Sequence, residues 1–192
     1  MKKKFRITLN APVILGFVLM CFIATLLGMI TAGRSTQAVF MTYHSSLRNP
    51  MTYIRFLTHV FGHSGWSHFI GNVSYLLLLG PMLEEKYGAK ELLEIIGVTA
   101  VVTGMINYIF FWNIGLCGAS GVVFAFIVLA SFTGFHEGEI PLTFILVVIV
   151  FMGQQVYQGI MVRDNVSQMA HIVGGVVGAC VGYGLNKKKE TI

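Results

Sequence analysis

Apolar residues occur along this chain in long runs that are separated by short polar stretches. The hydrocarbon core of a bilayer is about 30 Å thick, so a helix that crosses it needs roughly 20 mostly apolar residues. Measured against that length, the pattern predicts six membrane helices joined by short connections. Their approximate limits are 12–32, 65–83, 91–112, 117–135, 141–160 and 168–185.

One connection, from Gly33 to Ser64, is much longer than the others and carries arginines among many aromatic residues. It is too apolar for a solvated linker. Amphipathic side chains of this kind settle at a membrane interface. The stretch 33–64 is therefore expected to fold back as an interfacial first loop.

Composition agrees with a membrane protein rather than a soluble one. Of the 192 residues, 55% are hydrophobic and 11% are charged, and the mean hydropathy is +0.76. Soluble domains average about 25% charged residues, so this chain lacks the polar surface to dissolve in water. Residues 1–192 are expected to form a single transmembrane domain. The long apolar part of segment 1–32 has no convincing cleavage site, which favours a first span over a removed signal peptide.

The basic residues determine the expected orientation. The net charge is +5, and seven of the thirteen basic residues lie near the two ends of the chain. Such clusters beside apolar runs are typical of cytoplasmic anchors on a lipid bilayer rather than of nucleic-acid binding. With both termini cytoplasmic, that side carries nine basic residues and the other carries four. We therefore expect an N-in, C-in multi-pass protein of the inner (cytoplasmic) membrane.

This topology brings four polar residues to one depth. The second, fourth and sixth spans all run inwards, and their first turns hold the residues His68, Asn72, Ser120 and His171. Polar side chains inside a span are unfavourable unless they face a cavity or a partner. Taken singly, each is also typical of helix packing or a structural hydrogen bond. Their shared depth suggests a serine nucleophile with a histidine base.

Small residues would allow the fourth and sixth spans to approach each other closely. One face of the sixth span carries, at a spacing of three or four, His171, Gly174, Gly178 and Gly182. A glycine ladder admits another helix backbone, and Gly121 belongs to a matching small surface on the fourth span. Such packing could bring the imidazole within about 3 Å of the Ser120 hydroxyl, the reach that a base requires. Helix packing alone would use the same residues.

The acidic residues argue against a full Ser-His-Asp triad. Asp164 is the one aspartate in the sequence, and it lies in the polar loop before the sixth span. The glutamates lie in loops or towards the cytoplasmic side. We therefore expect a dyad of Ser120 and His171, with an imidazole oriented by packing and neutral hydrogen bonds. Asp164 as a third member stays the alternative.

One helical face of the second span carries two candidate hydrogen-bond donors, His68 and Asn72, which are four residues apart. Together with the backbone N–H of Ser120 at a helix start, they could stabilise an oxygen that gains negative charge. A hydrogen bond between helices is the other interpretation of Asn72.

Other histidines and cysteines raise further alternatives. His59 and His63 are four residues apart, as zinc ligands often are. No acidic residue or cysteine lies near them in the sequence, and the glutamate of H-E-x-x-H is missing. We expect structural hydrogen bonding for both, and neither a metal nor a cofactor. Cys117 could compete with Ser120 as a nucleophile, but a buried structural cysteine is the expected role.

These motifs, taken together, resemble those of the rhomboid intramembrane serine proteases over roughly residues 52–185. G-x-S-G alone is a weak signal, but H-x-x-x-N before it and A-H-x-x-G after it make the set specific. The chain resembles the minimal bacterial form, with no added domain or seventh span. The matching residues are Arg55, His59, His63, His68, Asn72, Glu84, Gly88, Gly118, Ser120, Gly121, Ala170, His171, Gly174 and Gly178.

The resemblance implies an all-α membrane protein with a rhomboid-like bundle of six transmembrane helices. It implies that Ser120 is the nucleophile and His171 the general base. It also implies an oxyanion hole in a water-filled cavity, formed by His68, Asn72 and the Ser120 amide. The small residues that would support this site are Gly118, Gly121, Gly174 and Gly178.

The resemblance further implies single-span membrane proteins as substrates, cut in or near their spans, and indicates no obligate partner subunit. The loop near 135–141 and the fifth span resemble the mobile gate of the family. Ile54 departs from the family pattern, since tryptophan is usual there, and Gln168 stands where a small or amide residue is common.

Two other classes of function stay open at this point. A catalytically inactive rhomboid-like binder of membrane proteins typically lacks the serine or the histidine, whereas this chain keeps both Ser120 and His171. A small transporter typically shows internal repeats or paired ionisable residues. The two halves of this sequence show no such repeat, and the predicted core carries no acid. A protease is the better interpretation.

Overall fold

Helices joined by short loops make up the structure, a computed structural model that describes residues 8–132, 139–154, 156–157 and 168–190, without the side chains of 186–190. In chain order these are α1 (Pro12–Ile30), α2 (Arg34–Val39), α3 (Pro50–Thr58), α4 (Trp66–Tyr87), α5 (Ala89–Phe110), α6 (Ser120–Ser131), α7 (Leu142–Val147) and α8 (Gln168–Glu190). A 3₁₀ turn at His59–Phe61 follows α3, and a π-helical turn at Val148–Met152 continues α7.

Three of these helices are long and apolar enough to cross a membrane: α1, α5 and the part of α8 from Gln168 to Leu185. The apolar helices Ser120–Ser131 and Leu142–Met152 are shorter. Helix α4 has 22 residues but carries polar side chains in its first turns. The protein is thus an all-helical, multi-pass membrane protein. Six crossings and the N-in, C-in orientation stay predictions.

Helix α6 is the central helix of the described structure. Eight of its 12 residues are buried, and it packs against α4, α5, α7 and α8. A helix that is apolar on every side is expected to be surrounded in this way. The fourth predicted span, from roughly residue 117, opens with Ser120, and this helix begins at Ser120. Gly118 has a φ of +127°, and Leu116 pairs with Thr42 in an isolated antiparallel bridge, so the chain becomes helical only at Ser120.

The contact between α6 and α8 depends on residues without large side chains. A β-carbon placed on Gly174 would overlap the carbonyl group of Gly121, and one on Gly178 would overlap that of Ala125. Backbone atoms cannot move away as a flexible side chain can, so glycine is required at both positions. The two helices are therefore in backbone contact along their length.

The first loop forms α2, α3 and the 3₁₀ turn, which pack against α1 and α5. Arg55 anchors this loop: its Nε donates to the Ala38 carbonyl at 2.9 Å, and its guanidinium lies 4.5 Å from the centre of the Tyr43 ring. Ile54, the departure from the family pattern, is 44% exposed. The arginine, and not its neighbour, therefore holds α3 to the earlier part of the same loop.

Glu84 connects the end of α4 to the start of α1. Its two carboxylate oxygens accept hydrogen bonds from the backbone N–H groups of Val13 and Ile14, at 3.1 and 3.0 Å. The first N–H groups of a helix have no partner within the helix, and a negative charge is favourable there. Glu84 is 7% exposed, so it serves as a buried cap supplied from a distant part of the chain.

Candidate active site

A cavity of about 990 Å³ lies where α4, α6, α8 and the π-helical turn meet the first loop. All four polar residues expected to share one depth line this cavity: His68, Asn72, Ser120 and His171. The rest of the lining is mainly apolar, and none of the described lining residues is Asp, Glu, Lys or Arg. These four residues, which come from three different helices, thus lie around one cavity.

Ser120, the predicted nucleophile, is the first residue of α6. Its backbone N–H therefore lies among the helix-start groups that have no partner within the helix. The turn before it is held from two sides. The Gly118 N–H donates to the His59 carbonyl at 2.9 Å, while Thr42 and Leu116 exchange two backbone hydrogen bonds. The first loop therefore fixes the approach of the chain to Ser120.

His171, the predicted base, lies in the first turn of α8 and stacks on an aromatic ring of α6. The imidazole and the Phe124 ring are parallel within 6°, with 4.5 Å between their centres. Phe124 follows Ser120 by four residues, so both project from one face of α6. The stacking and the Gly174–Gly121 contact bring the base and the nucleophile to one wall of the cavity.

Gly118 faces the two predicted oxyanion donors. A β-carbon at this position would lie 2.8 Å from Nε2 of His68 and 3.7 Å from Nδ2 of Asn72. A side chain there would fill the space in front of both donors, and the positive φ disfavours one as well. Asn72 is 7% exposed, and its Nδ2 makes no hydrogen bond with any residue that the structure describes. A buried donor without a partner is unfavourable unless a ligand or reaction intermediate uses it.

Comparison with known proteins agrees with these motifs. A family model for the rhomboid domain matches residues 50–188. The chain belongs to the rhomboid family. This confirms the resemblance inferred over residues 52–185. The match begins inside the first loop and extends to the end of α8.

Three characterised rhomboids are similar to this chain. Rhomboid-related protein 1 of Caenorhabditis elegans is 31% identical over 67% of this chain and 39% of its own length. Rhomboid-related protein 2 of Mus musculus is 30% identical over 71% of this chain and 52% of its own length. Rhomboid protease GlpG of Haemophilus influenzae is 26% identical, over 67% of this chain and 68% of GlpG. The chain thus spans about half or less of the first two relatives.

In this rhomboid His59 and His63 form hydrogen bonds with the first loop and with the adjacent helices α1 and α5. His59 Nε2 lies 3.1 Å from the Ala100 carbonyl, and His63 Nδ1 lies 3.1 Å from the Phe61 carbonyl and 3.3 Å from Thr25 Oγ1. Burial lowers the pKa of each imidazole to about 4, and the neighbouring His68 contributes to the shift at His63. Within the described ranges, no three His, Cys, Asp or Glu side chains group as metal ligands would.

Other residues singled out from the sequence lie as follows. Gln168 is buried at the start of α8. Asp164 lies outside the described residues. Cys117 was expected to be a buried structural cysteine; it is partly buried and lines the cavity.

Sequence reasoning missed two residues at or near the site. In the sequence Phe124 resembles an ordinary core aromatic residue, although its position four residues after Ser120 places it on the same helical face as that serine. Ser64 is, in the sequence, only the last residue of the predicted first loop. Its Oγ lies 3.2 Å from Nδ1 of His68, a contact that the spacing of four residues could have suggested.

Proposed function

We propose that this rhomboid is an intramembrane serine endopeptidase that cleaves transmembrane segments with a dyad of Ser120 and His171. The observation that carries the proposal is the shared cavity: it brings a helix-start serine and a histidine together with two donors that face Gly118. A serine that only packed helices would not require, on the same cavity, a buried Asn72 amide without a partner among the described residues. No metal or cofactor enters the proposed reaction.

The reaction follows from the positions of these groups. Ser120 Oγ attacks the carbonyl carbon of the scissile peptide while His171 accepts its proton. The carbonyl oxygen becomes an oxyanion, to which His68, Asn72 and the Ser120 N–H donate. His171 then gives the proton to the leaving amine, which yields an acyl-enzyme. Water, deprotonated by the same imidazole, releases the acid and restores the serine.

Packing replaces the acid of a triad in this proposal. In a triad the aspartate holds the imidazole in one orientation. Here the parallel ring of Phe124 restricts the His171 imidazole to one plane, and the backbone contact of Gly174 with Gly121 fixes the helix that carries it. Both constraints are apolar, so they cost no burial of a charge.

The cavity also indicates what kind of chain it accepts. Its described lining carries no formal charge, so charged side chains would lose their hydration without a partner inside it. A helix must unwind before a serine can reach its backbone carbonyls, because intrahelical hydrogen bonds occupy them. Single-span membrane proteins with an apolar, easily unwound stretch fit both conditions. In the N-in, C-in orientation the first turns of α4, α6 and α8 lie towards the outer side of the inner membrane.

The test uses purified protein in detergent and in liposomes. The wild type should bind a fluorophosphonate probe and cleave a model single-span substrate. Ser120→Ala should abolish both activities, and His171→Ala should lower cleavage at least about 10³-fold. Ser74→Ala serves as a matched control, since Ser74 is exposed and its hydroxyl donates to the Ile70 carbonyl within α4, at 2.8 Å.

Two results would contradict the proposal. Undiminished cleavage by Ser120→Ala would exclude this serine as the nucleophile. A folded wild type that neither labels nor cleaves would favour the inactive binder of membrane proteins instead. Solute flux in the same liposomes would favour the function of a small transporter.

A further inference from the structure

We propose that Ser64 is a positioning residue of the oxyanion hole: its hydroxyl donates to Nδ1 of His68 and thereby keeps the proton of that imidazole on Nε2, towards Gly118. The proposal rests on the proposed function, because it assigns a role within the same site. The supporting observations are the surroundings of the two ring nitrogens of His68. Ser64 Oγ lies 3.2 Å from Nδ1, and the opposite nitrogen faces the Gly118 turn.

The protonation state of His68 decides whether it can donate at all. A neutral imidazole carries one proton, on either Nδ1 or Nε2, and the nitrogen without it is an acceptor. The partner of one nitrogen selects the state of the other. A β-carbon on Gly118 would lie 2.8 Å from Nε2, so this nitrogen is the one beside the space for the oxyanion. His68 helps only when Nε2 bears the proton.

The hydroxyl of Ser64 can supply that selection. A serine hydroxyl rotates and is both donor and acceptor, so it can accept from an Nδ1 proton or donate to a bare Nδ1. When negative charge develops near Gly118, the form with the lone pair of Nε2 facing that charge is repelled. The form in which Ser64 donates to Nδ1 is then favoured. In that form the Ser64 hydroxyl donates to the imidazole, and the imidazole donates through its Nε2–H to the oxyanion.

The surroundings of His68 add a steric reason for this arrangement. The His63 ring lies edge-to-face against the His68 ring, with 5.0 Å between centres. His63 is itself held by Phe61 and Thr25. The His68 ring thus packs against a neighbour that is itself held in place, which limits rotation of the imidazole. Ser64 then has to determine only which nitrogen carries the proton.

A purely structural role is the competing explanation for Ser64, because it lies just before α4 and could hold the start of that helix. The two roles differ in how they combine with loss of His68. A hydroxyl that acts through the imidazole has no effect once the imidazole is gone. A hydroxyl that holds the loop matters in either background.

The experiment is a double-mutant cycle on cleavage of a model transmembrane substrate in liposomes, once the wild type has been found to cleave. We expect Ser64→Ala to lower kcat roughly tenfold with KM within about twofold. This is less than the about 10²-fold expected for complete loss of an oxyanion donor. Ser64→Ala should add nothing in a His68→Ala background, and Ser64→Thr should restore most of kcat. Ser74→Ala should match the wild type.

Several results would overturn the inference and leave the proposed protease intact. These are an unchanged kcat in Ser64→Ala, an equal loss with and without His68, or a change confined to KM. Should Ser64→Ala unfold, Ser64→Cys keeps the size and weakens the donor, and the same cycle then decides. A wild type that fails to cleave refutes the proposed function instead, so the two failures are distinguishable.

Discussion

Gly174 of α8 lies against the carbonyl group of Gly121 in α6, so closely that a β-carbon on Gly174 would overlap it. Gly121 follows the proposed nucleophile directly, and His171 precedes Gly174 by about one turn. This backbone contact therefore holds the segment that carries the proposed nucleophile against the helix that carries the proposed base.

Substitution of Gly174 tests that relationship. Gly174→Ala should separate α6 from α8, because the added methyl meets backbone and not a movable side chain. We expect a loss of stability of about 1–3 kcal/mol and a fall in cleavage of about 10²-fold, typical of a misplacement near 1 Å. Gly184→Ala is the control on the same helix, since a β-carbon there meets no atom within 4 Å. Equal behaviour of the two variants, in unfolding midpoint and cleavage rate, would refute the role.

Asn72 allows activity and stability to be separated. Its buried Nδ2 has no partner among the described residues, so Asn72→Leu should raise the unfolding midpoint while it lowers kcat about 10- to 100-fold. Asn107→Leu, the comparison variant, should lower the unfolding midpoint, because Nδ2 of Asn107 donates to the Ile114 carbonyl at 2.9 Å and this bond would be lost. A lower midpoint in Asn72→Leu would instead indicate a structural hydrogen bond.

Glu84 should matter for stability and not for chemistry. Glu84→Gln replaces one of two acceptor oxygens by a donor that faces backbone N–H groups, so we expect a loss of about 1–3 kcal/mol. Unfolding by denaturing detergent would measure it, with Glu85→Gln, an exposed neighbour, as the control. Cleavage at temperatures where the variant stays folded should be unchanged. A large activity loss in folded Glu84→Gln would contradict this assignment.

The buried histidines of the first loop should make stability depend on pH. Burial lowers the pKa of His59 and His63 to about 4, from an ordinary value of 6.5. Below pH 6.5 the unfolded chain takes up protons that the folded chain refuses, so stability falls as the pH decreases from about 6.5 towards 4.

Unfolding midpoints between pH 7.5 and 4 would test this dependence. His59→Gln should flatten the curve in that window, because the side chain that is buried without a proton at this position is then no longer an imidazole. An identical slope in wild type and His59→Gln would show that other groups cause the dependence.

Hydropathy and spacing were sufficient to predict which residues meet, because they place four polar residues in the first turns of three apolar segments. His68, Asn72, Ser120 and His171 line one cavity for that reason. The glycine spacing likewise indicated which faces of α6 and α8 would touch.

What the sequence could not provide depends on contacts between distant segments. The start of α6 is set by Gly118 and by pairing of Leu116 with Thr42, and no local propensity encodes that bridge. The capping of α1 by Glu84 spans about 70 residues.

The shortness of α6 also bears on how the protein enters a membrane during synthesis. Twelve residues rise about 18 Å, and an apolar stretch of 10–14 residues is more typical of a buried helix than of an independent membrane span. Its neighbour α5 has 22 residues and is long and apolar enough to cross a membrane. Insertion of α6 should therefore depend on helices already in the bilayer. The segment that carries Ser120 would then be held in the bilayer by its neighbours, and the cavity that it lines together with His171 would be complete only when α8 arrives.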